Sequence, residues 1–407
     1  MSTSILTSEE GKCTAYREKY APTVARHVTC DTPLKDISLN WTEKQLPERE
    51  RTKHVHRLHP YLGKYIPQLV EVFLRKYFKP SMTVLDPFSG SGTTLIQANE
   101  LEINSVGCDI SAFNILLGSV KTATYNVSQL NKEVTDILGK TALLAGHEAP
   151  LLPVDELPEV NLQVDNAYLK EWFAPQALEE LLIFRSLIPN YEHQDFLKLV
   201  LSRAARSARR TTHFDLDFPK KPVTEPYFCH KHGRTCTPTE TAFKFLTRYG
   251  RDNFRRVEEF SKIRTSAKVK LVHGDSRIAK FPQADGVITS PPYVGLIDYH
   301  EQHRYAFELL NLPDNRGDEI GSAEEGQSKA AKEAYVANMK AVFQNVSRKI
   351  RVGGRLIVVA GDRHNVYSEI LDEPNLAHEA TLQRHVNRRT GRRSGEFYES
   401  IFIYVKK

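Results

Sequence analysis

Long apolar runs are missing from this 407-residue chain. No stretch approaches the ~18 consecutive apolar residues of a membrane-spanning helix, so a membrane protein is excluded as an expectation. The first residues, MSTSILTSEEGK, lack the charged-then-apolar layout of a secretory signal. Cysteine is scarce: Cys13, Cys30, Cys108, Cys229 and Cys236 are odd in number and scattered. A disulfide framework is therefore not expected, and a reducing cytoplasmic setting is. Repeats and low-complexity tracts are absent too. Charge is nearly balanced, 56 Lys and Arg against 50 Asp and Glu, for a net +6. With a pI near 8.9, that accommodates a polyanionic partner without demanding one. Apolar residues at 40% and a mean hydropathy of −0.43 are ordinary for a globular chain with one large core and a second lobe.

What is present is a strand–helix alternation that breaks off and resumes. Ile66, Leu69, Val70, Phe73, Leu74 and Tyr77 share one helical face. Pro80 ends that helix, because the residue before a proline is pushed out of helical geometry. MTVLD (82–86) reads as a short buried strand, a glycine-rich turn and a helix near 93–101 follow, and SVGCD (105–109) is a second strand. That beginning predicts a parallel sheet with flanking helices. From about 120 to 265 the chain is mainly helical in character. Strands resume at 267–275, 284–290 and 354–362, and ESIFIYVKK closes the chain as a last one. A helix carrying Tyr335, Met339, Val342, Val346 and Ile350 precedes the third of these and is expected to stop at Gly353-Gly354. The expected fold is one doubly wound, mostly parallel α/β domain in two parts, 56–120 and 266–407. An extension (1–55) precedes it, and a helical insertion (121–265) separates the parts.

The turn VLDPFSGSGTTL (84–95) has Gly90 and Gly92, where backbone can approach a ligand closely. No Gly-Lys-Ser/Thr follows, which argues against a P-loop, and Leu95 stands where a dinucleotide fold would place its third glycine. Asp86, Asp109 and Asp275 end three successive strands and are expected to face one crevice. Asp109 lies 23 residues beyond Asp86, near the offset at which an acid reaches a ribose diol. Three acids without a Lys/Arg cluster suit a cationic or neutral ligand, such as a sulfonium nucleoside, better than a phosphate.

The apolar stretch ending in Ser290-Pro291-Pro292-Tyr293 carries the second signal. Two prolines forbid further ladder or helix and would hold Ser290 and Tyr293 rigid at a strand's carboxyl end. Together, DPFSGSGTT and TSPPY resemble the amino-group DNA methyltransferases, which are S-adenosylmethionine-dependent and act on cytosine N4 or adenine N6. The resemblance spans about 56–115 and 266–407 and implies a Rossmann-like class I methyltransferase fold. By it, Asp86, Phe88, Gly90, Gly92 and Thr93 match the cofactor loop and Asp109 the ribose acid, while Asp275 falls near the adenine. HPYLGKYIP (59–67), with Tyr61, resembles the segment closing over the methionine end. Ser290, through its hydroxyl or carbonyl, and the Pro291 carbonyl would accept the two hydrogens of an exocyclic amine. Such acceptors free a lone pair otherwise delocalised into the ring, and Tyr293 would stack on an extruded base.

Ser at the first motif position goes mostly with cytosine N4 in the resembling families, so cytosine N4 is the expected target and adenine N6 the alternative. An RNA base, a protein amide, or DNA binding by a decayed core are further readings. Cytosine C5 is excluded, because that chemistry uses a Pro-Cys nucleophile and no cysteine here follows a proline. The resemblance implies double-stranded DNA as partner, with a cognate restriction endonuclease beside it. The insertion comes earlier than the family's usual recognition region, so target recognition is assigned to it from size and position. Within it, Arg203, Arg206 and Arg210, with Arg209 adjacent, repeat at one-face spacing without offsetting acids nearby, which favours phosphate contact. NRRTGRR (387–393) is a second basic segment. CHKHGRTC (229–236) offers four metal-ligand side chains, but four ligands within eight residues would strain a tetrahedral site, so no metal is expected.

Overall fold

The computed structural model describes residues 22–147, 159–160, 162–213, 215–216, 219–293, 298–321, 326, 328–386 and 397–407. The basic segment 387–393 lies outside them. Seven strands form the main sheet in the order β5-β2-β1-β6-β7-β9-β8. These are β1 (Thr83–Asp86), β2 (Asn104–Asp109), β5 (Val269–His273), β6 (Ala284–Thr289), β7 (Ile350–Ala360), β8 (Leu376–Val386) and β9 (Phe397–Lys406). The first five in spatial order pair in parallel, whereas β9 runs antiparallel to both β7 and β8. The strand order reverses between β1 and β6, so the ends of these two strands open a crevice where ligands bind in doubly wound sheets. β1 is Thr-Val-Leu-Asp with its last three residues buried, as expected of a strand covered on both faces.

The helix Pro67–Tyr77 buries Leu69, Val70, Val72, Phe73 and Leu74 against one face of the sheet. Pro67 at its first turn loses no hydrogen bond there. Ala25, Val28, Ile37 and Leu39, from the residues preceding it, join the same core. On the other face, Tyr335, Met339, Val342, Phe343 and Val346 of the helix Lys329–Ser347 pack on Leu85, Val287 and Val358.

The expected stop of that helix at Gly353-Gly354 is corrected. The helix ends at Ser347, and both glycines belong to β7. Gly353 has φ +81°, and a Cβ on Gly354 would lie 2.3 Å from the Asp285 carbonyl oxygen. Gly353 therefore serves a left-handed turn of the backbone, and Gly354 a close strand–strand approach beside the irregularity between Ala284 and Gly286. β8 was not apparent in the sequence, because its inward positions include the buried Arg384 alongside Leu382 and Val386.

Between β2 and β5 the helices Val127–Leu144, Pro175–Leu187, Gln194–Ala208 and Phe243–Ser261 share a core with Phe113 and Leu117, and with Tyr305 and Phe307 from beyond β6. A short antiparallel pair, β3 (Tyr227–Cys229) and β4 (Arg234–Cys236), forms a separate hairpin. No helix among the described residues is long and apolar enough to cross a membrane.

Candidate functional site

The glycine turn after β1 is shaped by two left-handed residues, Gly90 at φ +46° and Gly92 at φ +80°. A side chain at either would be strained. Gly90 also faces Tyr61, whose hydroxyl would sit 3.3 Å from a Cβ there. Gly92 caps the helix Thr93–Glu100 one step behind.

Asp109 at the end of β2 anchors this turn. It accepts from the Gly90 N–H at 2.8 Å, the Ser111 N–H at 3.0 Å and the Asn114 side-chain amide at 3.0 Å. Burial raises its pKa, and these three donors oppose the rise. Asn114 also donates to the Tyr61 hydroxyl at 3.1 Å, and the Tyr61 ring stacks on Tyr299 at 5.6 Å.

These groups wall one cleft of about 890 Å³, counting its open mouth. Tyr61, Phe88, Gly90, Thr93, Asp109, Asp275 and Ser290, all expected from the sequence, line it together. Asp275 is tied to Arg277 at 2.8 Å, so its charge is locally compensated. Asp86 does not reach this wall. Fully buried, it accepts from Thr94 and Thr289 hydroxyls at 2.6 Å each, and from the Phe88 N–H and the Tyr65 hydroxyl at 3.1 Å each. Burial pushes its pKa up to about 6 against those hydrogen bonds. The expectation of three acids facing one crevice is thus corrected. Asp86 is a clamp binding the glycine turn to Thr289, the residue before Ser290.

Sequence reasoning missed Asn114, Tyr299 and the pair Asp318-Glu319, all of which line the cleft. Ser111 capping the helix Ala112–Thr122 was a local signal for Asn114. Glu319 lies in a polar connection that offers no periodicity. Burial, then Asp298 and Asp109, push its pKa up to about 8. An acid held so near neighbours of its own sign favours a cationic ligand.

Ser290 and Pro292 line the cleft beyond the turn. The Pro292 carbonyl accepts from the Tyr335 hydroxyl at 2.9 Å, and that hydroxyl lies 2.7 Å from the Tyr367 hydroxyl. Pro291 is buried. The Tyr293 hydroxyl donates to Glu399 at 3.2 Å, Glu399 pairs with buried Arg384 at 2.9 Å, and the ring lies against Gly361. The prolines and these three tyrosines fix the strand end from both sides.

The arginine face is partly withdrawn from solvent. Arg203 is buried against Asp252 at 2.7 Å with its guanidinium over Tyr249. Arg209, buried beyond the helix end, donates to the Leu216 carbonyl at 2.6 Å and lies over Tyr305. The premise that no acid offsets these arginines fails, because Asp252 comes from a helix 49 residues on. Arg206 and Arg210 are half-buried. The Cys229–Cys236 segment departs from expectation as well. His213, from outside it, joins Cys229, His232 and Cys236, whereas His230 is not among them.

A reversed strand next to one edge of a doubly wound sheet, with an acid-lined cleft joining the glycine turn to Ser-Pro-Pro-Tyr, defines a class I methyltransferase of the amino-group kind. Residues 9–117 match the N6/N4 amino-methylase family described as "DNA methylase". The type II methyltransferase M.MjaII of Methanocaldococcus jannaschii is 36% identical over 430 residues, covering 88% of this chain and 81% of that one. The type II methyltransferase M.MvaI of Kocuria varians is 24% identical over 253 residues, 58% of this chain and 53% of its own. Among solved structures, TrmN from Thermus thermophilus is 13% identical, covers 85% of this chain and 50% of its own, and has a TM-score of 0.35. The chain belongs to the N4/N6 amino-group DNA methyltransferase family, and its cofactor is S-adenosylmethionine. The acids and close backbone of the cleft fit that cationic nucleoside.

Proposed function

We propose that this protein transfers a methyl group from S-adenosylmethionine to the exocyclic amine of a base in double-stranded DNA. The observation that carries the reading is that Ser290, Asp109 and Gly90 line the same cleft, with the Gly90 N–H held by Asp109. The cofactor supplies a methyl group on positively charged sulfur. Asp109 would hold its ribose, Tyr61, Phe88 and Thr93 would line its bed, and Asp275 would face its adenine. Ser290 and the Pro291 carbonyl would accept the hydrogens of the target amine, and Tyr293 would stack on the extruded base. Orientation of the amine toward the methyl group supplies much of the acceleration, and no covalent enzyme intermediate is required.

The comparisons support amino-group transfer and back adenine N6 as fully as cytosine N4. Ser290 at the motif's first position supports the narrower reading, cytosine N4. Residues 121–265 would read the target sequence, with Arg206 and Arg210 as the candidates for backbone contact. A cognate restriction endonuclease would be the corresponding partner, a reading supported by the likeness to type II methyltransferases. Incubation with methyl-labelled cofactor tests the reading: label should enter duplex DNA, and label entering RNA in preference to DNA would overturn the choice of substrate.

A further inference from the structure

His213, Cys229, His232 and Cys236 bring their ligand atoms within 4.8 Å of one another. None of them lines the methyl-transfer cleft. Cys229 Sγ lies 3.7 Å from His213 Nδ1 and 3.6 Å from His232 Nδ1, and His232 Nδ1 lies 3.4 Å from Cys236 Sγ. Zinc bonds of ~2.3 Å to sulfur and ~2.0–2.1 Å to nitrogen at tetrahedral angles give sulfur–nitrogen edges of about 3.5–3.6 Å. All three separations, 3.4 to 3.7 Å, lie close to that value. Both cysteines are free thiols, so no disulfide accounts for their burial together.

The surroundings supply a second, independent argument. Between Thr211 and Ala242 the buried described residues are Cys229, Cys236 and Pro238. Strands of three residues with no apolar core beneath them form a hairpin that is marginal in water. Such a segment needs a staple. Its turn is already shaped for one, since the Gly233 and His232 N–H groups both donate to the Cys229 carbonyl, at 2.8 and 3.0 Å. Gly233 takes φ +61°. These bonds bring His232 round to face both cysteines. The Tyr227 hydroxyl accepts from the His213 N–H at 3.0 Å and fixes the fourth position.

We propose that His213, Cys229, His232 and Cys236 form a structural zinc site that ties the β3–β4 hairpin to the end of the helix Gln194–Ala208. Four protein ligands close the coordination sphere, so the ion folds the hairpin and takes no part in methyl transfer. Exposed Phe228, His230, Lys231 and Arg234 are then presented on a fixed scaffold.

The test is metal titration of the full-length chain after chelator treatment. Cobalt(II) should bind one equivalent per chain with thiolate-to-metal charge-transfer absorption and tetrahedral visible bands, and zinc should displace it. His213→Ala and Cys236→Ser should each weaken binding by more than the ~10–100-fold typical of losing an outer-shell partner. Cys30→Ser should leave it unchanged. Cys236→His, which keeps a ligand, should retain tetrahedral cobalt and guards against a misfolded serine variant. The cluster His54, His56 and Glu100 also has ligand spacing but offers no thiolate. Cobalt binding without charge-transfer absorption, or binding indifferent to His213 and Cys236, would overturn the proposal.

Discussion

Asn114 donates its side-chain amide to the Asp109 carboxylate at 3.0 Å. The same amide reaches the Tyr61 hydroxyl at 3.1 Å, so one side chain orients both the acid and a ring that line the cleft. Asp109→Ala should weaken cofactor binding by ~1.5–3 kcal/mol, as for a lost charged hydrogen bond. Asn114→Ala should cost about 1 kcal/mol through the loosened acid. Calorimetry with the cofactor checks both, and unchanged affinity in Asp109→Ala removes the ribose assignment.

Arg203 should matter to folding rather than to DNA. Removing one partner of a buried ion pair typically costs ~3–5 kcal/mol, and Asp252 would be left to Arg255 and Arg256 of its own helix, at 3.0 Å each. Arg203→Ala should lower the unfolding midpoint markedly. Replacing Arg206 and Arg210 should instead flatten the salt dependence of DNA binding by about one unit of slope per lost contact. An unaltered slope in that double variant would show that those two side chains make no phosphate contact.

Glu319 gives a pH dependence of defined sign. Its proton is held to about pH 8 in the folded chain against an ordinary value of 4.5. The contribution of this group to stability is thus fully present below that ordinary value and is lost as pH rises through about 8. In cofactor-free protein, Glu319→Gln should therefore gain in melting temperature relative to the parent between pH 5 and pH 8.5 (about the span of the shift). A constant difference across that range would remove the acid from its present surroundings.

The strands around Asp86, Asp109 and Ser290 were legible because each is a short apolar run closed by a residue that ends it. Gly90 and Gly92 were legible because only glycine suits the turn. What the sequence concealed depends on distant pairing. Arg203 reads as a surface charge until Asp252 is brought to it. His213 reads as a stray histidine until the hairpin returns Cys229. Asp86 reads as a ligand because it shares a strand end with true cleft residues, yet Thr94 and Thr289 turn it inward. Glu319 has no pattern around it at all, since its perturbation arises first from burial and then from Asp298 and Asp109, both distant in sequence.

The central claim, methyl transfer to an exocyclic base amine held at Ser290, is tested most directly by mass spectrometry of nucleosides from DNA treated with the protein and cofactor. Tyr293→Ala serves alongside the parent, because stacking on an aromatic ring is worth ~1–3 kcal/mol per base. The parent should yield N4-methylcytosine and the variant much less. N6-methyladenine alone would correct the base and keep the mechanism. Methylation at a ring carbon, or full activity in Tyr293→Ala, would contradict it.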